Sequence, residues 1–257
     1  MKVLIDSRGL QAQVHLADQT RLAVFLRTVG SIEGCSVTFS SGPALTGKDM
    51  VAIDVLIGTT RYPEESAYSP EELEALDSFV RGGGGLLLMT NHGDLPGSNP
   101  HDMTQFDAAA ARLFDLQLEP TWFQDPEWGK LSHLSGEDLL ATHPIIRGGP
   151  GEVPVRTIVT NNCSSILATG TGHRLVVLSP GMVDLRNGTP PAGRLFAHAL
   201  DAESGSNLVG QGRVVTVADS GFIGNDESLV PGPGLIGHGD NARFIQNVVR
   251  WLGGELD

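Results

Sequence analysis

The chain is poor in cysteine and in basic charge, and it has no long apolar run. Two cysteines, Cys35 and Cys163, stand in 257 residues, too few for a disulfide framework or a multi-cysteine zinc site, so both read as structural thiols. Lys and Arg number 17 against 30 Asp and Glu, a formal charge of -13, which argues against nucleic acid or an anionic membrane as main partner. No apolar stretch reaches membrane-spanning length, and MKVLID enters a strand directly, without the longer apolar region of a signal peptide. A cytoplasmic protein is the expectation. The 33 glycines and 15 prolines cluster between periodic segments, so they punctuate a folded chain. No internal repeat is visible.

The most informative stretch is SPEELEALDSFVRGGGGLLLMTNHGD, Ser69 to Asp94. Ser69 with Glu72 forms a capping box, and Pro70 suits the first helical position. Leu73, Leu76, Phe79 and Val80 share one helical face. Gly82 to Gly85 end that helix, and Leu86 to Met89 form the uninterrupted apolar run of a strand covered on both faces, as in parallel sheets. Ligands of open parallel sheets bind beyond the carboxyl ends of the strands, here Thr90 to Asp94. The glycine run is no phosphate loop, because it precedes a strand instead of opening a helix.

Taken in order, Lys2 to Asp6 is a strand with a polar exit. A helix carrying Leu22, Phe25, Leu26 and Val29 follows, then strands at Val37 to Phe39 and Asp54 to Ile57. Helices are expected from about Thr104, with Asp102 or Thr104 as cap, and after Asp240 or Asn241, carrying Phe244, Val248 and Trp251. Between them, about 116–180 reads as an irregular, partly β insertion with short apolar runs at Val155 to Val159, Ile166 to Ala168 and Leu175 to Leu178. Arg213 to Ala218 is a late strand. The alternation predicts an α/β fold, a flavodoxin-like parallel sheet with helices on both faces, in a single domain over 1–257.

The strings DVLIGTTRYPEESAYSPEELEALDSFVRGGGGLLLMTNHGD, THPIIRGG, GRVVTVADSGFIGND and DNARFIQNVVRWLGG together resemble the class I glutamine amidotransferase-like superfamily. The likeness is to its trehalose-utilisation (ThuA-like) branch and to the domain shared by gliding-motility auxiliary and intraflagellar transport proteins. The superfamily's nucleophile elbow, Gly-x-Cys-x-Gly, would fall on the turn that here reads Met89 to Gly93. No cysteine or serine occupies that tip, so glutamine hydrolysis is not expected. The ThuA-like branch implies action on, or binding of, a sugar-like molecule; the motility and transport branches imply binding or scaffolding.

Convergence of strand ends brings Asp6 and Ser7, Thr59 and Thr60, Asn91 and His92, and Asp219 and Ser220 into consideration as one site, on the grounds of fold. His92 titrates near neutral pH and suits a general acid or base, with Asp219 as its carboxylate. His92, Asp94 and His101, with Asp102 beside them, carry the donor types that hold zinc, iron or manganese. Turn and cap roles explain Asp94 and Asp102 equally well. His238 and Asp240 form a second His-x-Asp pair with the same competing cap role. Trp122, Phe123 and Trp128 are either buried or wall a pocket, Trp128 being the candidate ligand contact. The expected function is a small-molecule enzyme of hydrolase or lyase type acting on a small polar or sugar-like molecule through His92 and Asp219, with or without a divalent metal; the alternative is a catalytically silent ligand- or protein-binding domain. Nucleic acid and membrane are not expected partners; self-association into a homo-oligomer is left open.

Overall fold

The computed structural model describes residues 1–9, 22–61, 67–127, 129–225 and 234–257. Five strands run parallel in the order β2 (Ser36–Phe39), β1 (Lys2–Ile5), β3 (Val55–Gly58), β4 (Gly85–Met89) and β12 (Arg213–Val217). The chain moves outward in one direction from β1 to β2 and in the other from β3 to β4. Right-handed crossovers therefore put α1 (Ala23–Gly30) and α2 (Pro70–Arg81) on opposite faces. The last helix, α5 (Asn241–Leu252), packs beside α1, and α3 (Thr104–Arg112) packs beside α2. The sheet is thus covered on both sides, which is why β3 and β4 are buried at every residue.

The middle of the chain is more regular than its sequence suggests. The partly β middle lies at the sheet edge: β5 (Leu116–Gln124), β8 (Cys163–Ala168), β10 (Val183–Asp184) and β11 (Leu195–Leu200) continue the main sheet beyond β12 as antiparallel strands. A further strand, β9 (His173–Val177), also pairs with β11. A separate two-stranded sheet joins β6 (Ser132–Ser135) to β7 (Thr157–Thr160), and a short helix, α4 (Pro144–Arg147), precedes β7. The segment LFAHAL of β11 lies buried throughout. It shows no period-two pattern because both its faces are covered, so its sequence does not announce a strand.

Local signals hold where the chemistry is local. Ser69 Oγ accepts the Glu72 N–H and the Glu72 carboxylate accepts the Ser69 N–H, closing the capping box of α2. Ser69→Ala is expected to lower stability by about 1 kcal/mol, read as a shift in the urea midpoint. At α3, Asp102 accepts from the Thr104 N–H and hydroxyl at 2.9 and 2.6 Å. At α5 the expected cap is not made. Asp240 instead accepts the Arg156 and Thr157 N–H groups, and Asn241 bonds both backbone groups of Val159. Those side chains tie α5 to β7, a tertiary duty that displaces the local one.

Candidate functional site

The strand order reverses between β1 and β3, and in open α/β sheets the crevice beyond that point receives the ligand. Here it holds side chains of the protein itself. Arg61, three residues past β3, is fully buried. Its Nη2 lies 3.1 Å from Glu72 Oε1 and 3.4 Å from Asp6 Oδ2, and its guanidinium stacks 3.4 Å over the Tyr68 ring. Arg8 joins the same two carboxylates, 2.5 Å from Glu72 Oε1 and 3.3 Å from Asp6 Oδ2. Among the described residues, two guanidinium and two carboxylate groups meet here. Burial alone would raise the Glu72 carboxyl, but hydrogen bonds from Arg61, the Ser69 N–H, Arg8 and the Leu45 N–H outweigh it and hold it at about 2.

Beside this cluster, α3 turns Asp107 inward. Its Oδ2 accepts the Thr60 hydroxyl at 2.7 Å, while among the described residues its Oδ1 and the Thr59 hydroxyl are buried without a hydrogen-bond partner. Burial pushes the Asp107 carboxyl up to about 7, against the pull of Thr60 and Arg61. The sequence holds a signal for this residue: Thr104, Asp107, Ala110, Ala111 and Phe114 fall on one helical stripe, so a carboxylate stands on a buried face. For Arg61 there is no such signal, since its burial depends on strands and helices far apart in sequence.

His92 sits on the turn after β4. Its N–H donates to Asn91 Oδ1 at 2.8 Å, its Nδ1 is 2.8 Å from Gly93 O, and its ring lies 4.0 Å from that of Trp122. The turn is locked from the other side by β5: Gly93 N–H donates to Thr121 O at 2.8 Å, and a Cβ at Gly93 would run into the Pro120 backbone. The 95–103 segment closes over it, with the Met103 N–H on His92 O at 3.1 Å. Burial lowers the imidazole, with His101 acting in the same direction; the Gly93 bond and Asp102 oppose them.

Asp219, after β12, belongs to a different neighbourhood. Its Oδ1 accepts the Gly221 N–H at 2.6 Å and its Oδ2 is 2.6 Å from Thr160 Oγ1. Thr160 has one hydroxyl proton, and Asn162 O, 2.9 Å away, can only accept it. That proton serves either Asn162 O or Asp219, and when the carboxyl is protonated it donates to Thr160 Oγ1; burial pushes Asp219 up to about 7 against the pull of Thr160 and of the Gly221 and Phe222 N–H groups. No hydrogen bond or ion pair joins His92 to Asp219 among the described residues; the two turns meet through Asn91 Nδ2 and Ser220 Oγ at 3.2 Å.

The other sequence candidates distribute as follows. Asp6 is fully buried in the ionic cluster, and Ser7 pairs with Ser40, its N–H 2.9 Å from Ser40 Oγ. Thr60 donates to Asp107, while the Thr59 hydroxyl lies against Gly9, where a Cβ would collide with it. The gathering of His92, Asp94 and His101 about one cation is not supported: Asp94 faces Arg186 at 3.3 Å, His101 is exposed, and among the described residues no three His, Cys, Asp or Glu side chains are placed to hold a metal ion. Trp122 and Phe123 are buried, and Trp128 lies outside the described residues. Cys163 is buried on β8, its thiol pushed well up by burial and then by Asp219, far from the form a nucleophile needs. No helix among the described residues is long and apolar enough to cross a membrane.

No protein-family model and no curated protein matches the chain. Solved structures do. The chain is similar to the mmIFT52 N-terminal domain (TM-score 0.69, 12% identity, 98% of this chain and 97% of that one). It is also similar to a putative ThuA-like protein from Bacteroides uniformis (TM-score 0.56, 14% identity, 98% and 91%) and to another from Parabacteroides merdae (TM-score 0.54, 14% identity, 99% and 90%). At these identities the likeness is one of fold, and the fold is ThuA-like.

Proposed function

We propose that this chain is a catalytically silent ligand- or protein-binding domain of the class I glutamine amidotransferase-like superfamily. The observation that carries the reading is the crevice at the strand-order reversal, where, among the described residues, the buried Arg61, Arg8, Asp6 and Glu72 are paired with one another. An enzyme keeps charged groups at such a place unspent for its substrate. The turn where the superfamily's cysteine would stand carries Asn91 at its tip and His92 next to it, the His92 Nδ1 engaged by the backbone and its ring tilted against Trp122. Length-wide likeness in fold to the mmIFT52 N-terminal domain is in keeping with this reading.

A second reading, a small-molecule enzyme of hydrolase or lyase type acting on a small polar or sugar-like molecule, draws support from one observation. Asp107 and Asp219 are two buried carboxyls held near 7 at the strand exits, a property common among catalytic acids and bases. The two readings separate in one assay. The wild-type protein, with and without added zinc, iron or manganese, is expected to give no turnover above buffer on aryl esters, aryl glycosides and sugar acids, and His92→Ala is expected to fold with a melting temperature near that of wild type. Turnover that falls by about a hundredfold or more in His92→Ala or Asp219→Asn would overturn the silent reading in favour of acid–base catalysis.

A further inference from the structure

At the other end of the parallel strands, where β12 begins, lies a cleft of about 500 Å3 bordered by His143, His173, Asp201, Glu203, Arg213 and Asp257. His143 is 5% exposed, and its Nδ1 accepts the Ile145 N–H at 3.3 Å, so the proton of the neutral ring is on Nε2. That N–H has no partner among the described residues, although the ring is otherwise enclosed by His173 at 4.8 Å and Trp251 at 5.2 Å. The ring is packed in, but its Nε2–H opens on the cleft, where it is free to donate to an acceptor that enters.

The acceptor has a visible stand-in. Arg213 Nη1 donates to Trp251 O at 2.6 Å, and its Nη2 is 2.7 Å from Asp257 Oδ1. The Asp257 side chain is 77% exposed, so its carboxylate reaches the guanidinium from solvent and is easily displaced by another. Asp201, 3.5 Å from His173 Nε2, and the exposed Glu203 bring two more carboxylates to the same cleft. Three side-chain carboxylates border the cleft against the guanidinium of Arg213, with Arg147 Nη2 held on Asp257 O at 2.9 Å; that excess of carboxylates favours a guest that carries a positive group as well as a negative one over a purely anionic guest. We propose that this cleft binds small zwitterions of the amino-acid class, with the carboxylate on Arg213 and the His143 Nε2–H in place of Asp257, and the ammonium between Asp201 and Glu203.

The test is isothermal titration with glycine, β-alanine, γ-aminobutyrate and 5-aminovalerate, which lengthen the distance between the two charges, against propionate and propylamine as single-charge controls. At least one zwitterion is expected to bind saturably and about tenfold more tightly than either control. Asp257→Ala removes the internal competitor and is expected to tighten binding about threefold or more. His143→Asn keeps an acceptor for the Ile145 N–H but loses the Nε2 donor, and is expected to weaken binding about tenfold with an unchanged melting temperature. Absence of saturation at concentrations on the order of 50 mM, equal affinity for the controls, or an Asp257→Ala variant that binds no better than wild type would each overturn the proposal. The last criterion holds even if His143→Asn fails to fold, because Asp257 is a surface residue.

Discussion

Replacing Arg61 with alanine is expected to cost the fold about 3–5 kcal/mol, read as a large fall in the urea midpoint. The loss does not measure the worth of the ion pairs themselves. It arises because Asp6 and Glu72, both buried, are left, among the described residues, with Arg8 for two negative charges, and an unpaired charge in the interior is expensive. Arg61→Lys keeps the charge but loses the fork that reaches both carboxylates and the flat face that lies on Tyr68, so an intermediate loss is expected. The cluster also carries an acid limit. Glu72 is held at about 2 in the fold, below its unfolded value. Its contribution is therefore present above roughly pH 4 and lost as the pH falls through about 2. An Arg61→Ala variant within about 1 kcal/mol of wild type would mean the crevice tolerates an empty guanidinium site, and would remove the main support for a silent crevice.

Asp219→Asn is expected to stabilise the protein at alkaline pH, by up to about 4 kcal/mol at pH 8. Asparagine reproduces the protonated acid: its amide donates to Thr160 Oγ1 where the carboxyl proton does, and its oxygen accepts the Gly221 N–H. In wild type, burial raises the folded-state pKa to about 7 from the ordinary carboxyl value of 3.8. The folded protein then holds a proton that the unfolded chain gives up, so stability is full below about pH 4 and drains away as the pH rises through 7. The gap between variant and wild type should widen by about 1.4 kcal/mol per pH unit across that window. The difference is a cleaner readout than the wild-type profile, because other groups titrate there too. Asp107, also held up to about 7, acts in the same direction. Burial lowers His143 and His198 to about 4, and their contribution is lost as pH falls from about 6.5 through 4. Urea midpoints of the two proteins at pH 5, 6, 7 and 8 decide the matter. A constant gap would mean that Asp219 is already ionised in the folded state, and that the proton in its short contact belongs to Thr160.

Much of the architecture was legible because its causes are local. The capping box of Ser69 and Glu72, the apolar stripe of Leu76 and Val80, and the Leu86 to Met89 run each depend on residues within one or two turns, and each appears in the fold where its pattern places it. Strand exits were legible too, as lists of polar residues. What those residues do there was not. Glu72 reads as a helix cap and is one, but the same carboxylate is also the hub of the buried ion cluster. Asp240 reads as a cap and instead ties α5 to β7.

The sequence by itself determined the α/β alternation, the absence of a membrane-length apolar helix and the lack of a nucleophile on the β4 turn. These follow from composition and from periods of two and 3.6 residues, which short-range sterics and burial impose on any chain. Tertiary structure alone decided that the middle segment would extend the sheet through β11, that His92 and Asp219 would occupy separate neighbourhoods, and that Arg61 would be buried at the crevice. The reason is that charge neutralisation and desolvation depend on which groups are within a few ångströms in space. For Asp6, Arg61 and Glu72 that proximity is created by the ordering of strands, which no local pattern records.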